Sequence, residues 1–258
     1  MYKLAAYIGP AIHLDQFLLK PTGSLLTQAT EPGGLQCSEY FADGFGIGWY
    51  AADGTPAIYA NPLPIWSDTN LPYLARSLFG QLWLAEVRHA VTPFMASGVT
   101  IQPFFDQRLI FLHSGFLCHS GRLRRIIRDF LEPHIEAEIK GNNDSEHLFA
   151  LIRHLLNDDA ELSIETAMVA MFDLLAAWLG DTGSLLNIIV TEGERIYAAR
   201  HAFNLECPSL YFNIDDEAFP EGQLVASERL TESEFWQPMP PHHLLILDPQ
   251  QPPELLSL

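Results

Sequence analysis

The hydrophobic positions of this chain change period twice. Short apolar, β-branched or aromatic runs bounded by Gly, Pro, Asp and Asn predict strands over 3–8, 46–51, 82–87, 109–113, 186–191, 195–199, 210–213, 224–226 and 244–247. Between residues 121 and 179 the spacing becomes helical. Leu123, Ile126, Ile127 and Phe130 share one face of a helix that must end near Pro133. A second helix is predicted over 145–156, with Asp144 at its N-cap and Leu148, Ile152 and Leu155 on one stripe. A third, over 163–179, stops at Gly180. Asp53-Gly54 and Glu192-Gly193 each join two apolar runs and read as hairpin turns, because Gly accepts the positive φ that tight turns need.

Strands, a helical block and strands again predict two sheets packed face to face with helices outside, rather than alternating βαβ units. No repeat, low-complexity tract or linker divides the sequence, so one domain over 1–258 is expected. A hydrophobic content of 48% with 18% charged residues is that of a globular protein with a sizeable core.

Charge narrows the partners. Fourteen Lys and Arg against 32 Asp and Glu give a formal net charge of −18, which repels phosphate backbones and anionic membranes. Nucleic acid and membrane are therefore not expected partners, and the scattered acidic surplus reads as a solubility feature. Cys37, Cys118 and Cys207 lack any CxxC or Cys/His ligand spacing, so neither a disulfide framework nor a zinc site is indicated. No leader or membrane-spanning run stands out, and a cytoplasmic location is expected.

Four stretches place unusual polar or glycine residues at strand ends or a helix start: ADGFGIGWY (42–50), WLAEVRHA (83–90), FLHSGFL (111–117) and NNDSEHL (142–148). An Arg ending an apolar strand must reach water or meet an anion, and for Arg88 an ordinary strand-end salt bridge is an equal reading. A Gly after a strand, here Gly115, lets the backbone approach a ligand and turn its N–H toward it, though a lone Gly more often marks a turn. Taken singly, Asp144 is a helix cap. Together, an Arg for a carboxylate, an acid for an ammonium and a Gly N–H for an oxyanion make a site for an α-amino acid.

The order and spacing of LAAYIGP, ADGFGIGWY, LPIWSDTNLPYLARSL, VRHA, QPF, FLHSG, NDSE, LLNIIVTEG, VASERL and HHLLILD resemble the class II glutamine amidotransferases. The similarity is to their short single-domain type, which includes the γ-glutamyl amidohydrolase of ergothioneine biosynthesis. It implies an α+β fold, a four-layer α/β/β/α sandwich of the N-terminal-nucleophile type. It implies further that Arg88 holds the α-carboxylate of a glutamine or γ-glutamyl group, that Asp144 holds its α-amino group, and that Gly115 supplies an oxyanion N–H. Asp43 and Gly44 would shape the pocket floor. No metal or organic cofactor is implied, and the expected partner is a small γ-glutamyl or glutamine-like molecule, with a homo-oligomer or partner enzyme as a further option.

Two departures from the family pattern strike the chemistry. Family members carry Cys at position 2, exposed after Met removal, whose thiolate attacks the amide while its α-amine shuttles the proton. Here the residue is Tyr2, whose phenol, with a reference pKa of about 10, is neutral near pH 7. A bulky second residue is also expected to block excision of Met1. Ser114 stands where the family has an oxyanion-hole Asn, a loss that typically costs roughly 100- to 1,000-fold in rate. Lys3 and His89-Ala90-Val91 differ from the commoner Arg and Ser-Ala-Thr. Three readings follow: a silent family member that keeps its pocket or partners an active enzyme, an active amidohydrolase using Cys118 or Cys37, and a scaffold whose old site is filled by Tyr2.

Overall fold

The computed structural model describes residues 2–30, 43–88, 101–159 and 161–258. Before the helical block lie strands β1 (Tyr2–His13), β2 (Phe45–Tyr50), β3 (Pro56–Asn61), β4 (Phe79–Arg88), β5 (Phe104–Phe105) and β6 (Ile110–Leu117). After it come β7 (Ser184–Thr191), β8 (Ile196–Phe203), β9 (Tyr211–Asp216), β10 (Phe219–Ala226), β11 (Gln237–Pro238), β12 (His243–Asp248) and β13 (Gln251–Ser257). The helices are α1 (Leu14–Leu18), α2 (Leu25–Thr30), α3 (Leu71–Ser77), α4 (Ser120–Phe130), α5 (Pro133–Glu136), α6 (Asp144–Asp158) and α7 (Ile164–Leu179).

The strands form two antiparallel sheets, one ordered β11-β9-β10-β1-β4-β2-β3 and the other β13-β12-β8-β7-β6-β5. Successive strand residues point to opposite faces, and β1 is apolar on both. Ala5 and Tyr7 pack with Phe17, Leu25 and Leu71 of α1, α2 and α3. Leu4, Ala6 and Ile8 pack instead with Leu112, Ile189, Ala198 and Leu245 of the second sheet. On the far side of that sheet, Phe111, Ile188 and Ala199 meet Leu123, Leu148, Ile152, Met168 and Leu175 of α4, α6 and α7. Three apolar layers thus separate four structural ones, the α/β/β/α sandwich expected from the sequence. Each Leu, Ile or Phe fully buried in them contributes roughly 1.5–3 kcal/mol.

The nine expected strands are present, and both hairpin turns carry a positive-φ glycine, Gly54 at 81° and Gly193 at 101°. Three differences have physical causes. Helices α1, α2 and α3 have only 5, 6 and 7 residues, too few turns for a 3.6 period to stand out, yet they pack on β1 and β4 at the centre of the first sheet. Strand β13 contains Pro252 and Pro253, which read as a strand breaker but are tolerated because β13 is a sheet edge. The cap of α6 lies one residue earlier than expected: Asn143, not Asp144, is the N-cap, and its side chain accepts the Ser145 N–H at 2.9 Å. Asp144 is the first residue of the helix.

Candidate active site at one end of the inter-sheet layer

The ends of three strands and the start of α6 converge at one end of the layer between the sheets. Tyr2 begins β1 and pairs with Arg88, the last residue of β4. Asp43 and Gly44 extend the neighbouring ladder: Asp43 N donates to the Arg88 carbonyl at 3.1 Å, and Arg88 N donates to the Gly44 carbonyl at 2.9 Å. Gly44 has φ 118°, and a Cβ there would lie 3.0 Å from the Asn61 carbonyl oxygen, so the backbone needs glycine. From the second sheet, Ser114 reaches across and its Oγ donates to the Tyr2 carbonyl at 2.7 Å.

The Tyr2 side chain occupies this meeting point. The Arg88 guanidinium lies over its ring, 5.7 Å from the centroid, a cation–π arrangement. The phenol also hydrogen-bonds the Asn143 side chain. Burial pushes the phenol above its ordinary pKa, the charges of Glu86 and Asp144 push it further, and Arg88 and the Asn143 hydrogen bond oppose them. The phenolate is therefore disfavoured, and Tyr2 is a neutral hydroxyl at neutral pH.

Asp144 is turned toward the backbone: Oδ2 accepts the Leu117 N–H at 3.0 Å and Oδ1 accepts its neighbour Ser145 N–H at 3.0 Å. Gly115 has φ 151°, and a Cβ there would stand 1.8 Å from the Leu185 carbonyl oxygen, so no other residue fits. Tyr2, Arg88, Asp43, Gly44, Ser114, Gly115 and Asp144 are thus neighbours in the structure, although they span 143 positions of the chain. Lys3 points elsewhere and forms an ion pair with Glu228. Cys37 and His89-Ala90-Val91 lie outside the described residues.

A buried polar network that the sequence reading did not single out supports this cluster. Glu86 accepts the Gln102 backbone N–H at 3.0 Å and the Gln102 side-chain amide at 3.1 Å. That amide also donates to the His113 carbonyl at 2.8 Å, while its oxygen accepts the His113 N–H at 2.7 Å. The His113 ring lies under α6, Nδ1 at 2.9 Å from the Ser145 hydroxyl and Nε2 at 3.3 Å from the Leu185 carbonyl. Burial lowers its pKa, so the neutral ring donates from Nε2 and accepts at Nδ1. Burial pushes Glu86 up to about 8, against the Gln102 hydrogen bonds and Arg88. The available signal was Glu86 itself, an acid at an inward position of an otherwise apolar strand.

Cys118 is half-buried at the turn into α4, and its backbone N–H donates to Ser184 Oγ at 3.1 Å. The sulfur of Cys207 lies 3.8 Å from His242 Nε2, near the other edge of the second sheet. Among the described residues, neither sulfur is hydrogen-bonded to a group of the Tyr2 cluster, and no group of three or more His, Cys, Asp or Glu is placed to hold a metal ion. Among these residues no helix is long and apolar enough to cross a membrane.

A family model described as "Glutamine amidotransferases class-II" matches residues 29–207. The chain belongs to this family. It is 26% identical to the probable glutamine amidotransferase DUG3 of Saccharomyces cerevisiae, over 93% of this chain and 79% of that one. It is 24% identical to the γ-glutamyl-hercynylcysteine sulfoxide hydrolase of Mycolicibacterium smegmatis, over 95% of each. Among solved structures, a class-II glutamine aminotransferase domain protein from Silicibacter pomeroyi superposes with a TM-score of 0.69 at 24% identity, covering 99% of this chain and 98% of the other. The amidotransferase sandwich is thus kept over the described chain.

Proposed function

We propose that this class II amidotransferase-like protein keeps the residues of a γ-glutamyl or glutamine-type pocket but does not hydrolyse amides, because its own Tyr2 fills the site. The observation that carries this reading is the position of the Tyr2 phenol, under the Arg88 guanidinium and hydrogen-bonded to Asn143 at the head of α6. On this reading Arg88 is the carboxylate receptor, Asp144 the ammonium receptor and Gly115 a remaining oxyanion donor, with Asp43 and Gly44 beside them. The phenol stands where a ligand would meet Arg88. Ser114 cannot replace an oxyanion amide while its single donor hydrogen goes to the Tyr2 carbonyl. The phenol, held neutral by burial, is no nucleophile.

The test is glutamate release from glutamine and γ-glutamyl dipeptides, measured beside ligand-induced thermal shifts. Wild-type protein is expected to release no glutamate above background. Tyr2→Ala, which vacates the ring, is expected to gain a thermal shift with glutamine that Arg88→Ala then removes. Glutamate release by the wild-type protein would overturn the reading, and its loss in Cys118→Ala would assign the nucleophile to that thiol.

A further inference from the structure

Helix α4 carries Arg122, Arg124, Arg125 and Arg128 within seven residues, in a chain with only 14 basic residues and a net charge of −18. Like charges at i,i+3 and i,i+4 on one helix repel by a few tenths of a kcal/mol per pair, so this clustering is a local cost. Its buried face is apolar, with Leu123 and Ile127 inside. Next to it lies a cavity of about 510 Å³ lined by Arg124, Arg125, Arg128, Asn142, His147 and Glu136, among others. A cleft of that size suits a small molecule.

The guanidiniums are not equally engaged. Arg128 is neutralised by Glu136 at 2.6 Å and donates to His147 Nε2 at 3.1 Å. Arg124 donates to the Asn142 carbonyl. Arg122 and Arg125 have no carboxylate within ion-pair distance among the described residues, and Asp129, which also lines the cavity, pairs with neither. His147 is kept neutral by burial and the nearby arginines, and its Nδ1 donates to the Asn143 carbonyl at 2.7 Å. The inner wall of the cavity is therefore a braced turn, and its open side presents the planar guanidinium of Arg125, with Arg124 beside it, suited to oxyanions.

We propose that this groove binds a small anion carrying more than one phosphate or carboxylate group, held chiefly by Arg125 and Arg124. It is separate from the Tyr2 site, on the other side of the Asn142–Asp144 turn, and does not depend on how that site is read.

Isothermal titration at fixed ionic strength with pyrophosphate, inorganic phosphate and citrate tests it, the three probes separating phosphate from carboxylate preference. At least one probe is expected to saturate below about 10 mM with about one site. Arg125→Glu changes an exposed residue without a partner and is expected to weaken that binding at least tenfold with an unchanged unfolding midpoint. Arg76→Glu, on α3, is expected to leave it unchanged. No saturation with any probe, or equal affinity in Arg125→Glu, would overturn the proposal.

Discussion

Two neighbouring rows of the second sheet point into the same inter-sheet layer, and they could hardly differ more. One row, Leu112, Ile189, Ala198 and Leu245, is paired across β6, β7, β8 and β12 and fully buried. The other, two residues further along each strand, is Ser114, Asn187, Arg200 and His243. Ser114 bonds the Tyr2 carbonyl, Asn187 the Ser209 carbonyl at 2.8 Å, and Arg200 the carbonyls of Pro208, Met239 and Cys207. A shift of two residues, about 6.6 Å along a strand, separates a dry core from a polar site on the same scaffold. The apolar row is non-directional and supplies stability. The polar row must place each hydrogen bond, and through Ser114 it reaches the Tyr2 carbonyl.

The largest break in this comparison is in the dry row. Leu112→Ala is expected to destabilise the protein by about 2–5 kcal/mol, through lost burial and the cavity left behind, read by denaturant unfolding. The corresponding change in the polar row, Ser114→Ala, is expected to cost only about 1 kcal/mol, since the Tyr2 carbonyl loses one neutral hydrogen bond.

Between these in size lies a pH effect at Glu86. Its folded pKa, about 8, is raised above the unfolded carboxyl value, so the folded state binds the proton more tightly. That contribution is fully present below the unfolded pKa near 4.5 and is lost as pH rises through 8, with a slope on the order of 1 kcal/mol per pH unit. Unfolding measured at pH 5 and pH 8 should show the fall, and Glu86→Gln should flatten it. A profile unchanged by Glu86→Gln would place the titration elsewhere.

An effect as small as that of Ser114→Ala is expected from Tyr2→Phe. It removes the hydrogen bond to Asn143 but keeps the ring under Arg88, for a loss of about 0.5–1.5 kcal/mol. The difference between Tyr2→Phe and Tyr2→Ala then isolates what the ring itself contributes to filling the site.

Much of this was legible in the chain because strand faces follow a period of two. The runs that became β1, β4, β6 and β7 announced two buried faces, and the departures at Tyr2 and Ser114 could be named only against the pattern of the family the sequence resembles. The helices covering the first sheet escaped because each is under two turns long, and the cap of α6 shifted because Asn143 and Asp144 are both good caps and only the chain's approach chooses between them. Glu86 was visible as an oddity, but its partner Gln102 was not, since that bond links segments 16 residues apart by way of the sheet edge.

By itself, then, the sequence determined which residues face inward along each strand, the two glycine turns, the acidic surface and the absence of a cysteine at position 2. Only the tertiary structure decided that Ser114 would spend its hydroxyl on a carbonyl 112 residues away, and that Arg88 would lie over the Tyr2 ring. Local periodicity is carried by the backbone, whose pleat repeats whatever the rest of the chain does. The meeting of β1, β4, β6 and α6 depends on sheet order and on how two sheets pack, and no short stretch of sequence contains that information.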